Sequence, residues 1–374
     1  MKTRRKFLTE LLFAGVILGG CSLGSSYSFL GRNGSPAPVQ QGQIECQPLD
    51  MASQTILHHA SLAPSGHNCQ PWRVRLCQHH KWIIEADPTR RLPYVDSNNR
   101  ELLLSLGAFL ENLSIAAATL GLHAEIEILG SDSMDREIAR VFFEEGPAAD
   151  YNLQLLERRR TVRKGLSPRV ISPSDLARLT ATTEGQTIYV ARGSKQSTYL
   201  EDSVVEAFRL QARRDDAQEE FVRWLRLNKN EIMRHRDGIT TQSMGLGGIA
   251  EWYVSTFMSP ADFLSDKMRQ KGVDATAAQA REGGGWLLLT NRSQAVADLL
   301  TCGRRFQRLA LAACELGIAI HPMSQILEEE GAPSLDGILR GDSSIPQFVL
   351  RVGYIDRYPT SVRLRRPADW FVYS

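Results

Sequence analysis

The chain has 374 residues, with 44 Lys or Arg against 42 Asp or Glu and 43% apolar residues. A net charge of +2 speaks against a broad nucleic-acid-binding surface, and the apolar content is ample for the cores of about two domains. Its 6 cysteines are irregularly spaced with no C-x-x-C pair, which argues against a disulfide scaffold or a thiolate zinc site and for small buried or half-buried thiols.

Lys2, Arg4, Arg5 and Lys6 make a basic start. A short apolar run follows over residues 11–18, and Leu18-Gly19-Gly20-Cys21 closes it with small residues. That order predicts a signal peptide over residues 1–20, since the run is too short to anchor stably across a bilayer. Thr3-Arg4-Arg5-Lys6-Phe7-Leu8 resembles the twin-arginine export motif, and Leu18-Gly19-Gly20-Cys21 resembles a bacterial lipobox. The expectations are export to the periplasm or cell envelope, lipidation at Cys21 and attachment to a membrane through that lipid. Loss of residues 1–20 moves the charge balance from +2 to −1. Residues 21–50 are rich in Ser, Gly, Pro and Gln and read as a flexible tether, with folded structure beginning near Met51. No later stretch reads as long and apolar enough for a transmembrane helix.

The chain then carries an internal repeat. Residues 107–122 read GAFLENLSIAAATLGL and residues 303–318 read GRRFQRLALAACELGI. At an offset of 196, Gly107/Gly303, Leu113/Leu309, Ala116/Ala312, Ala117/Ala313, Leu120/Leu316 and Gly121/Gly317 are identical. Leu106, Phe109, Leu110, Leu113, Ala116, Ala117 and Leu120 recur at helical spacing, so each copy predicts an amphipathic helix. Each ends at a glycine suited to a left-handed cap, and the alanine pairs leave room for close helix packing. A strand candidate follows each helix. Residues 122–128 alternate strictly, as a strand with one buried face does. Further strands are expected at residues 74–77, 82–85, 286–290 and 347–354, the third reading as a central strand.

These elements predict an α+β fold in which helices cover a mainly antiparallel sheet. Two distant copies point to duplication and fusion rather than a solenoid. The halves are placed at residues 51–150 and 151–374, with a helical insertion near residues 205–282. That insertion reads equally well as a lid or as a packed addition.

Two segments carry candidate chemistry. Ala63-Pro64-Ser65-Gly66-His67-Asn68-Cys69-Gln70-Pro71-Trp72 offers polar side chains and free amides to a flat polar ring, with Trp72 seating the loop in the core. Glu157-Arg158-Arg159-Arg160-Thr161-Val162-Arg163-Lys164 offers guanidinium forks and a hydroxyl to a phosphate monoester, or is a solvated helix end. No Ser/His/Asp or Cys/His set is visible. The adjacent pairs His58-His59 and His79-His80 point in different directions and read as surface histidines rather than metal ligands. His67 lies within the first loop and reads equally as a ring contact or a surface residue.

Together, Arg-x-Thr-x-Arg and A-P-S-x-x-N-x-Q-P-W resemble the nitroreductase family of FMN enzymes. The helix at residues 303–318, Arg351-Val352-Gly353-Tyr354 and Arg365-Arg366-Pro367 resemble that family's closing segments. The likeness runs from Met51 to Ser374 and is weakest across the insertion. It implies a duplicated nitroreductase-like fold of the fused-dimer, Acg-like branch, in which one chain forms an internal pseudo-dimer and works as a monomer. It further implies that Arg159, Thr161 and Arg163, with Arg365 and Arg366, bind the FMN phosphate. Pro64, Ser65, Gly66, Asn68 and Gln70 would line the ring. Ser324 and Gln325 stand where many members carry Glu-Gly beside flavin N5, and a backbone amide there would serve. One Arg-x-Thr-x-Arg implies one flavin site per chain. The function implied is two-electron transfer through the flavin to an electron-poor small molecule, from an electron donor the residues do not name. Two alternatives are a protein that binds or sequesters flavin without turnover, and a lipid-tethered interaction protein.

Overall fold

The computed structural model describes residues 49–374 apart from 79–80, 340–343 and 361–363. The expected signal peptide, Cys21 and its lipid, nearly all of the tether, and His79-His80 lie outside the described residues.

The first half runs α1 (Met51–Ser61), β1 (Trp72–Gln78), β2 (Lys81–Ala86), α2 (Arg100–Thr119), β3 (Leu122–Ile128) and β4 (Glu137–Glu145). It is followed by α3 (Gln154–Arg158), α4 (Pro173–Ala181) and β5 (Thr187–Ala191). The interval to the next long strand holds α5 (Lys195–Arg213), α6 (Asp215–Arg223), β6 (Leu225–Arg226), α7 (Lys229–His235), β7 (Ile239–Thr240), α8 (Gly248–Phe257) and α9 (Asp266–Ala280). The chain closes with β8 (Gly285–Asn291), α10 (Val296–Glu315), β9 (Ile318–Pro322), α11 (Asp336–Leu339), β10 (Ile345–Tyr354) and β11 (Val372–Tyr373).

The two main sheets repeat one plan. The first has the order β11-β1-β2-β4-β3 and the second β5-β8-β10-β9. Without β11, both place their four strands alike, with a long helix between the second and third strand in chain order. All pairings are antiparallel except β1 with β11, where the carboxyl terminus returns to the first sheet. The helices begin at Arg100 and Val296, and the strands after them at Leu122 and Ile318, which keeps the sequence offset of 196. The fold is α+β, as expected.

α2 and α10 pack on each other at the centre. Their matched glycines are the crossing point. A Cβ added to Gly107 would lie 2.1 Å from the Leu300 carbonyl oxygen, and one added to Gly303 would lie 2.1 Å from that of Leu104. Only glycine admits backbones this close. Around the crossing, Leu103, Leu106, Leu110, Leu299, Leu300 and Leu309 belong to one buried cluster. Gln307 Nε2 donates to Asn112 Oδ1 across the pair at 2.7 Å, a hydrogen bond between two fully buried side chains. Gly121 and Gly317 end the helices at φ +73° and +67°, the left-handed geometry their position predicted.

β8 is buried along its whole length between β5 and β10, as a central strand should be. β3 alternates half-buried Leu122, Ala124 and Ile126 with exposed residues, because it is an edge strand with one face on the core. One expectation needs correcting. α2 is 20 residues long with an 18-residue window of mean hydropathy 1.5, long and apolar enough by composition to cross a membrane. It is apolar because it is the central helix, and 78% of that window is buried inside the fold.

Candidate functional site

The loop between α1 and β1 has an unusual backbone. His67, Asn68 and Gln70 take φ of +46°, +52° and +53°, a region L-residues avoid unless neighbours fix them. The neighbours are specific. Ser65 Oγ accepts from the Gln70 amide at 2.9 Å. Gln70 Nε2 donates to the Arg236 carbonyl at 2.8 Å, and its Oε1 accepts from the Arg366 amide at 2.8 Å. Asn68 Oδ1 accepts from Arg365 Nη1 at 3.0 Å. A Cβ on Gly66 would lie 2.8 Å from Glu101 Oε2, so glycine lets that carboxylate approach. Below the loop, Trp72 is fully buried with its ring 5.0 Å from that of Phe109.

Arginines gather on the other side. Arg159 Nη2 donates to the Leu62 carbonyl at 3.1 Å. Arg365 donates to the carbonyls of Ser61 at 2.6 Å, Leu62 at 3.1 Å and Ala63 at 3.1 Å. Both therefore sit on the negative end of α1. Arg163 Nε donates to the Ser243 carbonyl at 2.7 Å, and its Nη1 lies 2.7 Å from His321 Nε2. Among the described residues none of these three guanidiniums pairs with a carboxylate, and Arg159 Nε has no partner. Burial lowers the pKa of all three; for Arg365 burial, and then Arg159, bring it down to about 9. Buried positive charge without a counter-charge is costly, and an anion relieves it.

The loop and the arginines wall one cleft in two joined stretches. Arg159, Thr161, Arg163, Asn68 and Arg365 line one stretch of about 210 Å³, with Gly238, Thr240 and Ser243 of the insertion opposite. Gly66, Leu104, Ser105, Phe306, Phe348, Ser324 and Gln325 line the other, of about 200 Å³. Pro64, Ser65, His67, Thr161 and Arg163 wall both. Neither stretch alone reaches the ~300 Å³ of a small-molecule site, and the shared walls make them one. The cleft thus has a cationic end for an anion and a mixed end for a flat ring, where Leu104, Phe306 and Phe348 stand beside Glu101, Gln211 and Glu328.

Of the residues named from sequence, Gln70 and Arg366 stand apart. They line neither stretch. Arg366 Nη2 donates to the carbonyls of Gln70 at 2.6 Å and Trp72 at 3.0 Å, bracing the loop from behind. His67 lines both stretches, and burial lowers its pKa to about 4, partly offset by Glu101. Sequence reasoning missed Glu101, Glu328, Gln211 and His321. His321 is wedged between guanidiniums, with Arg351 Nη2 3.1 Å from Nδ1 and Arg163 on Nε2. Burial and those two charges hold it neutral, well below its ordinary pKa. A neutral imidazole has one acceptor nitrogen, so one of the two guanidiniums faces an N–H.

The expected surface position of His59 is corrected. It is 8% exposed, with Nδ1 2.8 Å from the Thr55 carbonyl, because α1 packs that side against α2. Candidate ligand atoms of His58, His59 and Glu157 lie within 4.8 Å of one another. The thiols of Cys69, Cys302 and Cys314 are buried, and that of Cys77 is exposed.

No protein-family model matches the chain. A Mycobacterium tuberculosis protein provisionally named NAD(P)H nitroreductase acg is 24% identical over 319 residues, covering 83% of this chain and 92% of the relative. One from a Serratia species, provisionally named NAD(P)H nitroreductase PigM, is 23% identical over 320 residues, covering 81% and 88%. Over most of its length the chain is nitroreductase-like in sequence. Among solved structures, the FMN-dependent nitroreductase NfnB of Mycobacterium smegmatis, in complex with NADPH, aligns with a TM-score of 0.32 at 15% identity, over 55% of this chain and 91% of NfnB. A protein from Anabaena variabilis, provisionally described as a nitroreductase, aligns with a TM-score of 0.33 at 12% identity, over 83% and 90%.

Proposed function

We propose that this nitroreductase-like chain is an FMN-dependent oxidoreductase that passes two electrons to an electron-poor small molecule, such as a nitro compound or a quinone. One observation carries the reading. Three guanidiniums, of buried Arg159 and half-buried Arg163 and Arg365, meet at one end of a cleft, and none of them pairs with a carboxylate among the described residues. A phosphate monoester supplies that charge, and guanidinium forks suit its geometry. The other end, walled by Leu104, Phe306 and Phe348, takes a flat ring. FMN joins these two features at the right ends.

Arg159, Thr161, Arg163 and Arg365 would hold the phosphate. Pro64, Ser65, Gly66 and Asn68 would line the ring, with Ser324 and Gln325 across from them. Gln70 and Arg366 would serve by bracing the loop. FMN, when bound, supplies the hydride chemistry, and the protein supplies orientation, charge and exclusion of water. The relatives' names favour a reduced nicotinamide nucleotide as electron donor. The proposal includes one flavin site per chain in an internal fused dimer that works as a monomer, with halves at residues 51–150 and 151–374. It also includes export and a lipid anchor at Cys21. The twin-arginine route moves folded proteins, which suits a cofactor loaded in the cytoplasm.

The test is direct. Arg159→Ala with Arg163→Ala should remove bound FMN from an otherwise folded protein, read by visible absorbance and circular dichroism. Unchanged flavin content in the double variant would refute the phosphate assignment.

A further inference from the structure

Arg163 reaches the cationic end of the cleft from a segment that is itself held. The Val162 amide donates to the Ile320 carbonyl at 3.2 Å, which lays this segment against β9 beside His321. Arg351 Nη2 donates to the carbonyl of Arg163 at 2.8 Å. The side chain is then held on two edges. Its Nε donates to the Ser243 carbonyl at 2.7 Å, and its Nη1 lies 2.7 Å from His321 Nε2. Ser243 is fixed by a tight turn of the insertion, in which the Thr240 and Ser243 hydroxyls accept each other's amides at 3.1 and 2.8 Å. Among the described residues Arg163 Nη2 meets no acceptor, and Arg163 walls both stretches of the cleft. His321 is 3% exposed, and both its ring nitrogens face guanidiniums. Only one of them can accept. The two terminal nitrogens of fully buried Arg351 already donate to the carbonyls of Gln279 and Arg163. Arg163 Nη1 has no second acceptor among the described residues, and its contact is the shorter, 2.7 Å against 3.1 Å. These partners assign the lone pair to Nε2 and the proton to Nδ1.

We propose that His321 is a positioning residue of the anion site, holding Arg163 so that the remaining edge of its guanidinium points at the cofactor phosphate. The inference rests on the FMN reading of the cleft. A guanidinium meets a phosphate through a fixed planar fork, and an arginine that is free to turn must be ordered at a cost when the anion arrives. His321 and the Ser243 carbonyl remove that cost by taking two edges in advance. A neutral imidazole suits the place, because it accepts from the guanidinium without cancelling its charge. A carboxylate there would pair with Arg163 and leave less charge for the anion. The insertion, through Ser243, supplies the second half of the clamp.

The experiment uses the full chain freed of flavin, with His321→Leu and His321→Gln, each checked by circular dichroism. Leucine offers no acceptor, whereas the glutamine amide oxygen reaches the place of Nε2. FMN binding, read by quenching of flavin fluorescence, should weaken roughly 5-fold in His321→Leu and recover in His321→Gln. Riboflavin, which lacks the phosphate, should bind all three proteins alike. Nitrogen NMR of isotope-labelled histidine in the wild-type protein should find the His321 proton on Nδ1, its signal identified by its absence from His321→Gln. That reading stands even where His321→Leu fails to fold. A proton on Nε2, unchanged FMN affinity in His321→Leu, no recovery in His321→Gln, or an equal loss for FMN and riboflavin overturns the proposal. A wild-type protein that takes up no FMN overturns the reading beneath it, whereas any of those results in a wild type that binds FMN overturns this proposal alone.

Discussion

Gly107→Ala tests whether the glycine crossing of α2 and α10 organises both the core and the cleft. The added Cβ would sit 2.1 Å from the Leu300 carbonyl oxygen, 2.9 Å from its carbon and 3.0 Å from Gly303 Cα, where ordinary contact begins at 3.4 Å. All three atoms are backbone, so no side chain can swing away, and the helices must part by about 1.3 Å. A gap near 1 Å forfeits a quarter to a half of each contact's attraction, and overpacked cores lose ~1–3 kcal/mol, occasionally more. Alanine returns up to ~1 kcal/mol of helix propensity. A net loss of about 2 kcal/mol is expected. Urea unfolding would show it as a lower midpoint at unchanged slope. Gly107→Ala with Gly303→Ala should cost less than the sum of the two, since both push the same helices apart. Gly337→Ala, with nothing within 4 Å of the new Cβ, should be neutral or slightly stabilising. Leu104, Ser105 and Phe306 line the cleft from these helices, so flavin retention should fall as well. A Gly107→Ala protein as stable as wild type would refute the reasoning.

Three further outcomes are expected. Arg366→Ala strips two buried carbonyls of their donor and should cost about 2–3 kcal/mol in urea unfolding, while FMN per folded molecule stays unchanged; lost flavin at full stability would contradict the bracing role. His67 keeps a folded pKa of about 4 against 6.5 for an ordinary histidine, so as pH falls through 6.5 towards 4 the unfolded chain takes a proton that the fold refuses. Stability should drop over that window, and His67→Gln should flatten the drop in a pH series of unfolding midpoints. N-ethylmaleimide with peptide mapping should label Cys77 in the native protein and spare Cys69, Cys302 and Cys314, since burial raises all three pKa values, those of Cys69 and Cys302 to about 12.

The repeat was legible because symmetry writes itself at a fixed offset. Gly107 and Gly303 matched in the sequence, and they meet in the fold. The shared strand order and the return of β11 to β1 were not legible, since a two-residue strand leaves no periodic pattern. Arg159, Thr161 and Arg163 read as a phosphate segment from their types and spacing, and the cleft brings them together. Gln70 and Arg366 read as ligand contacts because composition does not distinguish a side chain that faces a cavity from one that holds the loop behind it. Glu101 looked like an ordinary acidic residue in the first turn of a helix, and Glu328 one of three successive glutamates. Their place on one stretch of the cleft depends on tertiary packing between segments 227 residues apart, which no local pattern records.

The cationic end of the cleft is proposed to hold the phosphate of FMN. Purify the protein without added cofactor, record its visible spectrum, and identify by mass what heat releases. The expected result is a yellow protein that releases FMN in a one-to-one ratio to chain. A colourless protein that also takes up no FMN when it is supplied would contradict it.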